Sequence, residues 1–230
     1  MKVFSKLTLA AAIATSSFAF TVPALADSTS FNLTDLNATG YGGPFATVTV
    51  TTNATGTQAT LTFDAFDGFV LMDGSSVGAN INGAFSFVSV TGTAAVSGFT
   101  QATYTDGGSG NVNGFGVFNE TITSSDGFQS GSDIIEFVVN KTSGSWASAA
   151  AVLVANSNNA LAAAHIGVCQ DANGVQSATC TASNGAKFTG FAAGNGGGGT
   201  IIEIPEPNAL ALALLGFGLV GVSYSTRRKS

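Results

Sequence analysis

Basic residues are almost missing from the middle of this chain. Seven Lys and Arg stand against 13 Asp and Glu in 230 residues. Five of the seven sit near the two ends, at Lys2, Lys6, Arg227, Arg228 and Lys229. Between residues 27 and 207 only Lys141 and Lys187 remain against all 13 acids, a formal charge of −11. Nucleic-acid binding needs a basic footprint, so that class is excluded. The acidic balance favours solubility, repulsion from anionic lipid and attraction for divalent cations.

Other residue types are equally sparse. Histidine occurs once, at His165, and cysteine twice, at Cys169 and Cys180. Two thiols and one distant imidazole make no recognisable zinc spacing, and no cofactor is implied. A Gly-x-Ser-x-Gly elbow is absent, and no serine is singled out as a nucleophile for His165. These absences lead to the expectation that the chain is not an enzyme. No fixed-period repeat is visible, which weighs against a solenoid or propeller. Charged residues make up 9% of the chain, while 45% is hydrophobic and 10% aromatic. Disordered chains have the opposite balance, so a folded, β-rich domain is expected.

What is present speaks most clearly at the ends. Residues 1–26 read as a secretory signal peptide. Lys2 and Lys6 begin it, a small apolar stretch follows, and Ala24 and Ala26 form an Ala-x-Ala cleavage site before Asp27. At the other end Ile204, Pro205, Glu206 and Pro207 precede an uncharged apolar run at 209–225, then Arg227, Arg228 and Lys229. As a helix this run would span roughly 25 Å, a little short of a ~30 Å hydrocarbon core. The terminal basic residues would act as a membrane stop on the cytoplasmic side. Pro205 and Pro207 favour an extended collar of the kind that enters a protease cleft.

This three-part arrangement resembles the PEP-CTERM sorting signal of bacterial exported proteins. The resemblance implies a membrane-embedded processing enzyme, exosortase, that recognises Pro205, Glu206 and Pro207 and removes the tail. It also implies an inner-membrane-anchored precursor that ends at the cell surface or outside the cell. A looser similarity to ectodomains of the same class covers residues 142–149, 163–166 and 188–194. The short C-terminal domain sometimes carries an ice-binding label, which need not describe an activity.

The expected organisation is a signal peptide (1–26), an all-β, sandwich or jelly-roll-like ectodomain (27–193), a Gly-rich linker (194–203) and the sorting signal with one transmembrane helix (204–230). In an oxidising compartment Cys169 and Cys180 are expected to form a disulfide. Alternation at 45–52 and 57–64 predicts a hairpin turning at 53–56, with Val48 opposite Leu61 and Thr49 opposite Thr60. Further strands are expected at 68–72, 84–91, 94–104, 112–123, 133–140 and 161–170, with a break at the Gly-rich segment 106–111. A helical turn is expected near Trp146.

Candidate chemistry is thin. Asp64, Asp67 and Asp73 lie close in sequence beside glycines and are weak calcium candidates, since Ca²⁺ takes oxygen ligands from loops. The spacing is not that of an EF-hand, and Asx turns explain it as well. Thr47, Thr49, Thr51, Thr60 and Thr62 form one hydroxyl face, a small area for ice binding and an ordinary composition for an exposed strand. The phenylalanines Phe63, Phe66, Phe69, Phe85, Phe87, Phe99, Phe115, Phe118, Phe128 and Phe137 read as core. Trp146 and Tyr104 are the remaining aromatic candidates for a sugar platform. The leading expectation is an exported structural or adhesive component of the surface or extracellular matrix. The alternatives are a polysaccharide-binding module, with or without calcium, and less strongly a hydrolase or an ice-binding protein.

Overall fold

A computed structural model describes residues 26–38, 40–93, 99–169, 176–177, 186 and 188–195. Within them the chain is all-β. The strands are β1 (Ser28–Leu33), β2 (Asp35–Leu36), β3 (Ala46–Thr52), β4 (Gln58–Ala65), β5 (Phe69–Met72), β6 (Gly74–Ala79), β7 (Phe85–Thr93), β8 (Thr100–Gln101), β9 (Thr105–Val112), β10 (Gly116–Ser124), β11 (Ser130–Ser132), β12 (Ile134–Lys141), β13 (Ala162–Val168) and β14 (Phe188–Gly194). Among the described residues the sole helical element is a 3₁₀ turn at Ala149–Ala151. It lies three residues beyond Trp146, the position expected from the sequence.

The β3–β4 hairpin shows how side-chain parity sets a fold. Both strands alternate buried and half-buried residues, so one face enters the core. The register differs from the expected one: Val48 faces Phe63, Val50 faces Leu61 and Thr49 faces Thr62. Asn53 is the cause. Its N–H donates to the Gln58 carbonyl at 3.0 Å. Its Oδ1 accepts from the Thr57 and Gln58 N–H groups at 2.9 and 3.2 Å. Asn53 therefore closes the ladder instead of opening the turn, and the four-residue loop becomes 54–57. The two-residue shift leaves every side chain on its expected face.

β1, β3, β4, β12 and β7 form a five-stranded antiparallel sheet in that order. The remaining nine strands form a second sheet around β13. One core joins them: Val48, Leu61, Phe63 and Phe137 from the first sheet pack with Leu71, Val77, Ile122 and Ile166 from the second. Phe63 and Phe137 stack at 6.2 Å between ring centroids. Each large side chain buried there contributes about 1.5–3 kcal/mol relative to exposure.

Two expectations are corrected. The Gly-rich segment 106–111 is not a break but the middle of β9. Its glycines let β10 approach: a Cβ on Gly107 would lie 2.8 Å from the Thr121 hydroxyl, and one on Gly110 would lie 2.9 Å from it. Phe66 and Phe128 are exposed, at 37% and 63%, while Phe63, Phe69, Phe99, Phe118 and Phe137 are buried as expected. Both exposed rings sit outside the strands, in segments that no alternation pattern governs.

Candidate functional site

The expected signal-cleavage region falls partly within the described residues, at residues 26 and 27. Asp27 is built into the domain one residue before β1. Its carbonyl accepts the Thr52 N–H at 2.8 Å, and its carboxylate accepts the Ala149 N–H at 2.7 Å. Signal cleavage after Ala26 would thus leave a first residue already tied to the 3₁₀ turn. Beside that turn lies a cleft of about 220 Å³ lined by Thr29, Ser30, Phe31, Ala149, Leu153 and Asn195. Asn195 follows β14, so both ends of the domain leave beside the same turn. Ala24, Pro205, Glu206, Pro207, Arg227, Arg228 and Lys229 lie outside the described residues, as do residues 196–203 of the expected linker and the apolar run at 209–225, whereas Gly194, the first residue of that linker, ends β14. Among the described residues no helix is long and apolar enough to cross a membrane.

The three candidate calcium ligands are not brought together. Asp64 and Asp67 line an open depression with Pro44, Ala65, Phe66 and Asp133. Burial raises the Asp64 carboxyl above its ordinary range. Burial, then the charges of Asp64 and Asp67, raise Asp133. Asp133 was missed because its place beside Asp64 depends on β12 pairing with β4, which no local pattern encodes. Among the described residues no group of three or more His, Cys, Asp and Glu is placed to hold a metal ion. The depression lies at the far end of β3 from the exit turn. Thr47 pairs with Asp64 there, while Thr52 bonds Asp27. Five strand residues separate these ends by about 17 Å.

Asp73 belongs elsewhere, at a fork in the second sheet. β5 and β6 both pair with β13, leaving residues 72–76 opposite His165. The Asp73 carbonyl, free of the ladder, accepts from His165 Nδ1 at 2.7 Å. A carbonyl cannot donate, so Nδ1 carries the proton. His165 stacks on Phe191 at 4.4 Å and meets the edge of Phe128 at 6.4 Å. It is 7% exposed, and burial pulls its pKa down, which keeps the ring neutral. These contacts give the imidazole a structural role, filling the gap where one strand becomes two.

The possible sugar-platform rings are internal. Trp146 is buried and donates from Nε1 to the Asn82 carbonyl at 2.9 Å, with Lys141 Nζ 4.9 Å above the ring. Tyr104 is buried, and that burial pushes its hydroxyl up to about 12. The threonine hydroxyls are engaged across strands: Thr47 with Asn32, Thr51 with Ser28, Thr62 with Glu136. Cys169 is buried and is not a free thiol, whereas Cys180 lies outside the described residues.

One buried acid escaped the sequence reading. Glu120 on β10 is 3% exposed, and its Oε1 has no hydrogen-bond partner. Burial first, then the Asp106 charge and a hydrogen bond to Asp106, raise its pKa to about 8. A partial signal was available, since Glu120 stands two residues before the apolar Ile122 and shares its face, whereas Phe118 lies beyond a register break and packs in another cluster.

No curated protein and no solved structure matches this chain. The family model described as the PEP-CTERM protein-sorting motif matches residues 203–229. That match spans the Pro-Glu-Pro collar, the apolar run and the basic residues, and it marks an exported chain sorted by exosortase. With an all-β domain upstream of that motif, the chain is a PEP-CTERM domain-containing protein.

Proposed function

We propose that the domain is a non-enzymatic surface or matrix component, structural or adhesive, displayed outside the cell after its tail is processed. The observation that carries this reading is the shared exit. Asp27 and Asn195 both leave beside the 3₁₀ turn, so a tail in the membrane would hold that pole inward. The pole with Asp64, Asp67, Asp133 and Phe66 then faces outward. A formal charge of −11 over residues 27–207 keeps such a domain off anionic lipid. Two sheets sharing one core are read as a β-sandwich, a rigid spacer suited to display. A disulfide between Cys169 and Cys180 would add to its endurance outside the cell.

The test is cell cohesion and surface labelling in strains with and without the gene, and with and without exosortase. Loss of cohesion on deletion, with the protein on intact cells only when exosortase is present, supports the reading. Unchanged cohesion together with protein confined to the interior removes it. A second reading is polysaccharide binding at the distal depression, favoured by the exposed Phe66 ring beside three carboxylates. A glycan array with and without chelator decides it; absence of binding in both conditions ends it.

A further inference from the structure

The first sheet ends at β1, and among the described residues no strand pairs with the outer edge of β1. The core is open there. Phe31 of β1, Val50 of β3 and Leu153 belong to the buried cluster, and they line the cleft of about 220 Å³ together with Leu161 and Ala150. None of the lining side chains is ionisable. On a domain whose charge over residues 27–207 is −11, this neutral and mostly apolar hollow selects an uncharged, apolar occupant. An apolar cavity of about 150 Å³ accepts a benzene ring, so a branched aliphatic side chain fits here.

The chain delivers such an occupant to the rim. Gly194 runs so close to β1 that a Cβ would lie 2.5 Å from the Asn32 carbonyl oxygen and 3.0 Å from the Phe31 ring. Its own carbonyl accepts the Leu161 N–H at 2.9 Å. Asn195 is thereby placed on the cleft wall. Beyond it the sequence reads Gly196 to Gly199, Thr200, Ile201 and Ile202, and the sorting motif begins at residue 203. The two isoleucines belong neither to the glycine run nor to the motif. They precede the apolar run at 209–225, so a membrane span does not account for them. Four consecutive glycines let a chain reverse direction without steric cost. Ile201 is six residues past Asn195. A flexible link of that length has a root-mean-square span of about 13 Å and a reach of about 20 Å. So short a link presents its end at an effective concentration in the millimolar range.

We propose that this cleft is the docking site of the chain's own Ile201-Ile202 segment, which turns back over Gly196–Gly199 and seats an isoleucine side chain among Phe31, Leu153 and Leu161. Burying one such side chain shifts the equilibrium toward the docked form roughly ten- to a hundredfold. Pro205 then stands three residues after the anchor, about 10 Å from the cleft. The domain is held close to its collar instead of at the end of the whole 194–203 segment, and removal of the tail beyond the collar leaves the anchor in place. This anchoring is independent of what the distal pole binds.

Methyl NMR of the full chain from cells lacking exosortase, held in lipid nanodiscs, tests the docking. Isoleucine δ1 methyls are labelled, and I201V and I202V identify the two signals. At least one of them should show nuclear Overhauser contacts to the Phe31 ring or to the Leu153 or Leu161 methyls. A150W, which fills the cleft from the exposed Ala150, should remove those contacts. Cleavage after Glu203 by a glutamate-specific protease reads the same equilibrium. It should be about ten- to a hundredfold faster in I201S/I202S than in the unaltered chain, after correction with peptides spanning residues 196–207. I201S/I202S changes no residue of β1 to β14, so it tests the docking even if A150W fails to fold. Random-coil isoleucine shifts without cleft contacts, or equal cleavage rates, overturn the proposal. So do cleft contacts from residues 20–25 or from a second, differently labelled copy, which would give the site another occupant.

Discussion

Gly56 offers the sharpest quantitative check on the packing beside the exit turn. It sits in the β3–β4 loop with φ +65°, and a Cβ there would lie 2.3 Å from the Trp146 carbonyl oxygen. In return the Gly56 carbonyl accepts the Trp146 N–H at 2.8 Å. Gly56→Ala therefore has three consequences. A left-handed alanine costs about 1–2 kcal/mol. The obstacle is backbone, so no rotamer change relieves it, and the Trp146 hydrogen bond, worth about 1 kcal/mol, is stretched or broken. A stiffer unfolded chain offsets less than about 1 kcal/mol of this. The net loss is about 1–3 kcal/mol, or about 2–12 °C in Tm for a domain of this size. Trp146 is the chain's single tryptophan, so its emission in a urea titration reports the transition from the affected contact itself. Gly127→Ala is the control: φ is +92° there, but nothing lies within 4 Å of the added Cβ. It should lose only the conformational part. If Gly56→Ala is no more destabilising than Gly127→Ala, the Trp146 contact does not hold the loop.

Three further outcomes are expected. Phe137→Ala removes a fully buried ring stacked on Phe63 and should cost about 3–5 kcal/mol in thermal or urea unfolding; a loss below about 1.5 kcal/mol would mean the shared core lies elsewhere. His165 is held neutral, so the unfolded chain takes up its proton first; stability should fall as pH drops below about 6.5, by up to about 1.4 kcal/mol per pH unit, and His165→Gln should remove that fall. Glu120, raised to about 8 by burial first, acts with the opposite sign, so Glu120→Gln and His165→Gln should tilt the pH–stability curve in opposite directions, and parallel curves would refute both assignments. Reducing the mature protein should lower stability by about 2–3 kcal/mol if Cys169 and Cys180 are bridged, whereas two labelled thiols without reductant would contradict the pairing.

Much of the fold was written in alternation. β3, β4 and β7 are strands in which apolar and hydroxyl residues take turns, and β12 is a run of β-branched and aromatic residues, so their existence was legible. Register was not, because it turned on whether Asn53 closes the ladder or opens the loop. β9 was hidden because its glycines are required by what β10 brings against them, a tertiary fact. The fork at His165 was equally hidden, since residues 72–76 turn away from β13, with Met72 pairing β11 and Gly74 and Ser75 pairing β10, a choice made only in the assembled sheet. Among the candidate ligands, sequence proximity misled: Asp73 is near Asp64 and Asp67 in the chain but belongs to the fork, while distant Asp133 completes the depression. The sorting motif was the easiest feature to read because its grammar is linear and needs no partner strand.

A folded domain delimited by two processed ends underlies every functional statement above. Intact-mass measurement of the protein recovered from cells with and without exosortase tests this most directly. The expected N-terminus is Asp27 in both strains, with residues beyond the Pro205–Pro207 collar lost only where exosortase is present. Recovery of a chain that begins at Met1, or that keeps its Arg227-Arg228-Lys229 end in both strains, would contradict it.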